Sequence, residues 1–216
     1  IYTNNLAIMA ISTKFVEPVS LDFLIDANIQ WDPNLTGLKS GNIEARTKNL
    51  IKTHFDTLLA GFGKTFRRSS LLTKIDAYDP SVLSSSMNVK LQISFQPTLN
   101  LEDSYKLYFP VRLENPSEDR YSIESSTFTY GDNNIIARIR NQLGTTVLQI
   151  VDANSSVIVD TLGTYFPQSG LVQLNGFAPR AIIDGSGSVK IKAIPQDQTV
   201  IKPLRNYVLS VSENNL

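Results

Sequence analysis

The chain contains no cysteine. Disulfides, thiolate metal ligands and cysteine nucleophiles are excluded together. It contains one histidine in 216 residues, His54. Zinc sites of the common kinds draw several ligands from Cys and His, so composition argues against a structural zinc. Net charge is missing too, since 20 Lys and Arg balance 20 Asp and Glu. Nothing global pulls the chain toward nucleic acid, an anionic membrane or an acidic substrate. No apolar run reaches the length a helix needs to span a bilayer. No internal repeat or low-complexity tract stands out. The chain starts at Ile1 without a Met, as expected of a fragment or a processed piece. Apolar residues nevertheless make up 42% of the chain, so a packed core is expected rather than disorder.

Two strictly alternating runs dominate what is there. In Val19 to Trp31 the apolar positions are Val19, Leu21, Phe23, Ile25, Ala27, Ile29 and Trp31, separated by polar residues and Leu24. In Met87 to Phe95 the apolar positions are Met87, Val89, Leu91, Ile93 and Phe95. A period of two predicts strands with one dry face and one wet face. Between them, Ile43, Thr47, Leu50, Ile51, Phe55, Leu58, Leu59 and Phe62 recur at helical spacing, which predicts a helix lying on the sheet. Ser40 and Asn42 are candidate N-caps, Glu44 stands in the first turn, and Gly61 and Gly63 are expected to stop the helix. Ser69 is expected to cap a second short helix with Leu71, Leu72 and Ile75 inward, closed by Asp79-Pro80. Ser84-Ser85-Ser86 reads as a short polar loop.

Upstream, Ile1 to Ser12 reads as the last strand of an earlier element, and Phe15 to Pro18 as a connector. Downstream of Phe95 the texture changes. Tyr105, Leu107 and Phe109 alternate, and from Tyr121 helical periodicity disappears. β-rich runs follow at 127–130, 135–139, 145–151, 157–162, 171–174, 189–194 and 207–211, separated by turns such as Gly131-Asp132-Asn133 and Asp184-Gly185-Ser186-Gly187. Short strands at even spacing predict a sandwich or an open barrel. The fold class is therefore α+β. An N-terminal strand-helix-helix-strand two-layer module at 13–98 precedes a β-rich domain at 99–216, after an upstream remnant at 1–12, with a boundary near 97–104.

Few motifs carry chemistry. Gly61-Phe62-Gly63-Lys64-Thr65 ends like a phosphate-binding loop, but a true one needs glycine where Leu58 stands and should open a helix rather than close one. His54 flanks the apolar stripe, which points to packing. Asp22, Asp26 and Asp32 share the wet face of the first strand. A calcium loop wraps its oxygen ligands on a tight turn, so a solvated or partner-facing surface is the expectation. Lys64, Arg67 and Arg68 form a small basic knot, read as a solvated loop or a contact to an acidic protein patch. Asn34-Leu35-Thr36 and Asn154-Ser155-Ser156 match the glycosylation acceptor pattern, which carries weight only in a secreted chain. Exposed aromatics for a host-surface carbohydrate would be Tyr130, Tyr165, Phe166 and Phe177, which composition assigns to the core. A glycosidase would need two facing carboxylates, and no pair can be placed from sequence. No catalytic, cofactor-binding or metal-ligating residue is assigned. Exposed edges and a wet sheet face point to an assembly part.

The segments FVEPVSLDFLIDANIQWD, IEARTKNLIKTHFDTLLAGFGKTFRRSSLLTKID and MNVKLQISF resemble the C-terminal part of baseplate J-like wedge proteins of contractile-tailed phages. Pro18, the Gly61 and Gly63 pair and Ser70-Leu71 occupy the matching places. SSTFTYGDNNIIARIR, DTLGTYFPQSGLVQLNGFAP and IKAIPQDQTVIKPLRNYVLSV are similar to the C-terminal β region of the large wedge protein of T-even-like phages. The more specific features are Gly163-Thr164-Tyr165, Ser169-Gly170-Leu171, Asn175-Gly176-Phe177-Ala178-Pro179 and Pro203-Leu204-Arg205-Asn206. The order of the segments, more than any one of them, carries the resemblance. It implies a non-enzymatic structural subunit of the virion, assembled in the host cytoplasm. Such a subunit forms homodimers, joins other baseplate wedge proteins in the ring around the hub, and binds neither nucleic acid, membrane nor small-molecule substrate. It implies no cofactor.

Overall fold

The computed structural model describes residues 19–36, 40–203 and 207–212. The upstream strand expected in 1–12 and the connector 15–18 lie outside the described residues. The first half contains β1 (Val19–Trp31), a 3-10 turn (Pro33–Leu35), α1 (Ser40–His54), a π turn (Phe55–Leu59), β2 (Phe66–Arg67), α2 (Arg68–Asp76) and β3 (Val82–Phe95). There follow β4 (Asp103–Tyr108), β5 (Ile123–Ser125), β6 (Phe128–Tyr130), β7 (Ile135–Asn141), β8 (Val147–Asp152) and β9 (Val157–Phe166). The last strands are β10 (Leu171–Phe177), β11 (Ala181–Ile182), β12 (Val189–Ala193), β13 (Val200–Ile201) and β14 (Tyr207–Val211). The chain is strand-rich and built on one large mixed sheet.

That sheet has 12 strands, with a main path β14-β1-β3-β12-β5-β7-β8-β9-β10-β4. β1 pairs with β3 in antiparallel register from Asp22↔Gln92 to Trp31↔Val82. The period-two pattern explains the long ladder. Leu21, Phe23 and Ile25 are buried with Met87, Val89 and Leu91, while Asp26, Asn28 and Gln30 stay exposed. β3 starts earlier than its alternation indicates. Ser84, Ser85 and Ser86, expected in a loop, pair with Gln30, Ile29 and Asn28. Their hydroxyls are used at this open end: Ser84 Oγ donates to Gln30 Oε1 at 3.0 Å and Ser85 Oγ to Asp76 Oδ1 at 2.5 Å.

The helices cover one face of β1 and β3. Phe23 sits 5.2 Å from Phe55 and 5.0 Å from Phe66 between ring centroids, and Phe55 stacks on Phe66 at 5.8 Å. Ile51, Leu71 and Ile75 complete this core. The helical stripe departs from expectation at its end. A π turn widens the spiral after His54, so Phe55 and Leu59 face inward while Leu58 and Phe62 are exposed. Asn42 lies inside α1 rather than capping it. Ser69 lies inside α2, whose first residue is Arg68; the Arg68 amide instead donates to the Thr199 carbonyl at 2.9 Å. Gly61 and Gly63 follow the π turn with positive φ, as stop residues do.

Strands from the second half of the chain enter the first half's sheet. β12 is bonded to β3 from Val189↔Phe95 to Ala193↔Leu91, and β14 runs parallel to β1 from Val19↔Tyr207 to Phe23↔Val211. The stretch 97–104 carries the chain across a curled sheet. Phe95 at the end of β3 meets Tyr105 of β4 at 4.9 Å, although their strands are far apart along the path. Phe177 packs against Phe95, Tyr105 and Phe128. The curl brings the two outermost strands together, where Tyr207 Oη donates to the Tyr108 carbonyl at 2.8 Å. A rigid-body swing about 97–104 would have to break the β3–β12 and β1–β14 ladders.

The narrowest joint of the sheet is β5, a three-residue strand between β12 and β7. Its ladder to β7 has the single pair Glu124↔Arg140. Side chains supply the missing bonds. Asn141, fully buried, accepts at Oδ1 from the amides of Ser122 (2.9 Å) and Ile123 (3.0 Å). Ser125 Oγ accepts from the Ile139 amide at 2.7 Å.

Asn141→Leu strands two buried amides, at about 1–3 kcal/mol each. The expected outcome is a lower denaturant midpoint with unchanged slope. A second site tests packing of the far layer. A Cβ on Gly163 would strike the Gln173 carbonyl of the neighbouring strand, so Gly163→Ala is expected to destabilise by about 1–3 kcal/mol in the same measurement.

Candidate functional site

β12 leaves β3 at Leu91, so β3 from Lys90 back toward its start lacks that neighbour. Two side chains tend this free edge. Gln198 Oε1 accepts from the Val89 amide at 2.9 Å, and Arg68 Nη1 donates to the Met87 carbonyl at 3.4 Å. Around the same edge opens a cleft of about 890 Å³, lined by β1, α1, β3, residues 119–124 and β12.

Register explains the cleft's chemistry. Asp22, Gln92, Lys192, Glu124, Arg140 and Gln149 are successive cross-strand partners, forming one polar row across β1, β3, β12, β5, β7 and β8. Asp22 accepts from Ser210 Oγ at 2.5 Å and Ser20 Oγ at 3.1 Å, extending the row to β14. Arg140 donates to the Ser155 hydroxyl at 3.1 Å and lies 4.4 Å over the Tyr121 ring. The cleft takes Lys192 and Glu124 from this row, with Lys90 within 3.5 Å of Glu124. On the α1 side Glu44 pairs with Lys48 at 2.9 Å. Arg120, from the loop wall, is held by Glu114, which raises the guanidinium's pKa. The acids Asp26, Glu44, Asp119 and Glu124 thus face the bases Lys48, Lys90, Arg120 and Lys192. A wall of interleaved charge suits contact with another protein's polar surface better than capture of a single ion.

The residues weighed in the sequence do not gather here. Of the three aspartates, Asp22 is tied to serines, Asp26 is exposed in the cleft, and Asp32 caps the 3-10 turn by accepting from the Asn34 amide at 2.8 Å. Among the described residues no group of three or more His, Asp or Glu is placed to hold a metal. The Gly61 to Thr65 stretch closes the π turn, and Phe62 forms a bridge to Val208 on the outer side of β14. Lys64 and Arg67 are exposed, while Arg68 turns inward to β3. Tyr165 and Phe177 are buried, Tyr130 is half-buried and Phe166 is 44% exposed. Lys192, Glu124 and Arg120 were not singled out from sequence. The signal for Lys192 and Glu124 is cross-strand register, which a single strand's alternation does not contain; Arg120 lies in the loop before β5.

His54 is buried at 4% exposure, with its ring edge-on to Phe55 and Nδ1 without a hydrogen-bond partner. Burial lowers its pKa, and the Lys74 ammonium lowers it further. Among the described residues no helix is long and apolar enough to cross a membrane. No protein-family model matches the chain, and no curated protein sequence matches it.

An imidazole titrates near about 6.5 when unfolded, and lower when folded here. The unfolded state therefore takes up a proton first as pH falls. His54's contribution is complete above the unfolded value and is lost as pH drops toward the folded one. The wild-type melting midpoint should fall more between about pH 7.5 and about pH 5 than that of His54→Gln. Equal drops would show that His54 is not the titrating group.

Proposed function

We propose that this chain is a structural subunit of a contractile phage tail baseplate, a wedge protein that contacts copies of itself and neighbouring wedge proteins. In this reading the strand-helix-helix-strand segment 13–98 is a two-layer module and 99–216 its β-rich companion. The observation that carries the reading is where the resembling segments lie. Those containing β1, β3, β12 and β14 are far apart in sequence, yet these strands are consecutive neighbours in the sheet. A resemblance spread along the chain thus corresponds to one contiguous piece of architecture.

The surface supports assembly rather than turnover. Leu99 and Leu101 before β4 and Ile135 and Ile136 opening β7 are exposed. Their loops are tied at one end of the sheet by Arg180, which binds both Asn100 and Asp132. Leu58 and Phe62 are exposed on the helical side. Large apolar side chains left outside in groups are a common mark of protein contact. Zero net charge permits copies to approach without long-range repulsion.

Light scattering across a concentration series is the test. The apparent mass should rise above that of one chain within the micromolar range. A strict monomer at high micromolar concentration overturns self-contact by this chain.

A further inference from the structure

A second hollow, of about 440 Å³, lies between the outer faces of α1 and α2. Leu50, Ala45 and two threonines, Thr53 and Thr57, make a largely apolar floor. Arg46 and Lys74 stand at its sides, and His54 lies in its wall. No acid lines it. The acids nearest in the chain are engaged elsewhere. Asp79 Oδ1 accepts from the Ser81 amide at 2.9 Å and hydroxyl at 2.6 Å, and Asp76 accepts from Ser85. Arg46 donates to Tyr78 Oη at 3.1 Å, and its charge reaches Asp79 without a hydrogen bond between them.

We propose that this hollow receives an acidic side chain, flanked by an apolar residue, from a protein partner. The two cations, with no acid in the hollow's lining among the described residues, are the observation that selects this occupant. A carboxylate entering the hollow accepts from Lys74 and Arg46. His54 lines the same hollow and the Lys74 charge already reaches its ring, so the imidazole senses what binds there. The apolar floor extends the fit to a neighbouring aliphatic or aromatic residue. Leu58, four residues beyond His54, is 47% exposed. The π turn that begins at Phe55 turns Leu58 outward, and such turns recur at functional sites. A free phosphate would match the cations and leave the apolar floor uncovered.

The inference stands on the hollow's chemistry and goes beyond the baseplate reading, which can fail without it. A random peptide library is panned on the full chain, with the folded Lys74→Glu variant as counter-selection. Recovered peptides should be enriched in Asp or Glu beside Leu, Ile or Phe. Titrating one of them should shift the imidazole resonance, which is unique because His54 is the sole histidine. Affinity should fall at least tenfold in Arg46→Glu and in the peptide's amide counterpart. Lys48→Glu, on the opposite cleft, should leave it unchanged. Any of four results overturns the proposal: peptides without acid enrichment, binding indifferent to Lys74 and Arg46, an unmoved imidazole resonance, or the same shift with inorganic phosphate alone.

Discussion

One amide oxygen completes the narrowest joint of the sheet. β5 pairs along its whole length with β12 but through one pair with β7, and it alone lies between them on the main path. Asn141 Oδ1 serves the two amides that the short strand leaves without ladder partners, and Ser125 Oγ serves one on β7. A buried amide without a partner costs more than a made bond returns. An apolar substitute at this joint therefore costs stability. Along the sheet, what lies on either side is joined through these few contacts, while Phe95, Tyr105 and Phe177 and the Tyr207–Tyr108 bond join it across the curl.

The polar row on the opposite face follows from the same continuity. Because β1, β3, β12, β5, β7 and β8 stay in register, Asp22, Gln92, Lys192, Glu124, Arg140 and Gln149 line up on one face, with Gln92, Arg140 and Gln149 buried. Its charged members alternate in sign along the row. The cleft inherits this pattern where β12 departs. Its balanced walls and the basic hollow between the helices are therefore distinct surfaces. The first is suited to broad polar contact, and the second to a single acidic anchor.

Where burial follows a period, the sequence was readable. Val19 to Trp31 forms β1 over its predicted span, and Tyr207 to Val211 forms β14 over its own. Legibility failed where long-range pairing or backbone irregularity decided the outcome. The serines at 84–86 are strand because β1 is long enough to pair with them. Leu58 and Phe62 left the apolar stripe because a π turn shifts the helical register, which no side-chain period announces. β5 carries no alternation worth the name, since its bonding depends on Asn141, eighteen or nineteen residues onward. The cleft was invisible for a related reason. Its charges come from four strands, α1 and the loop before β5, and only the folded sheet with its helix and loop makes them neighbours.

The pairing of β1 with β14 has a mechanical meaning. The two strands run the same way, in register from Val19↔Tyr207 to Phe23↔Val211. A pull on the chain before Val19 and after Val211 drags them in opposite directions along their common axis. The slanted, evenly spaced bonds of a parallel pair then carry the load side by side, as rivets do in a lap joint, instead of opening one after another like a zip.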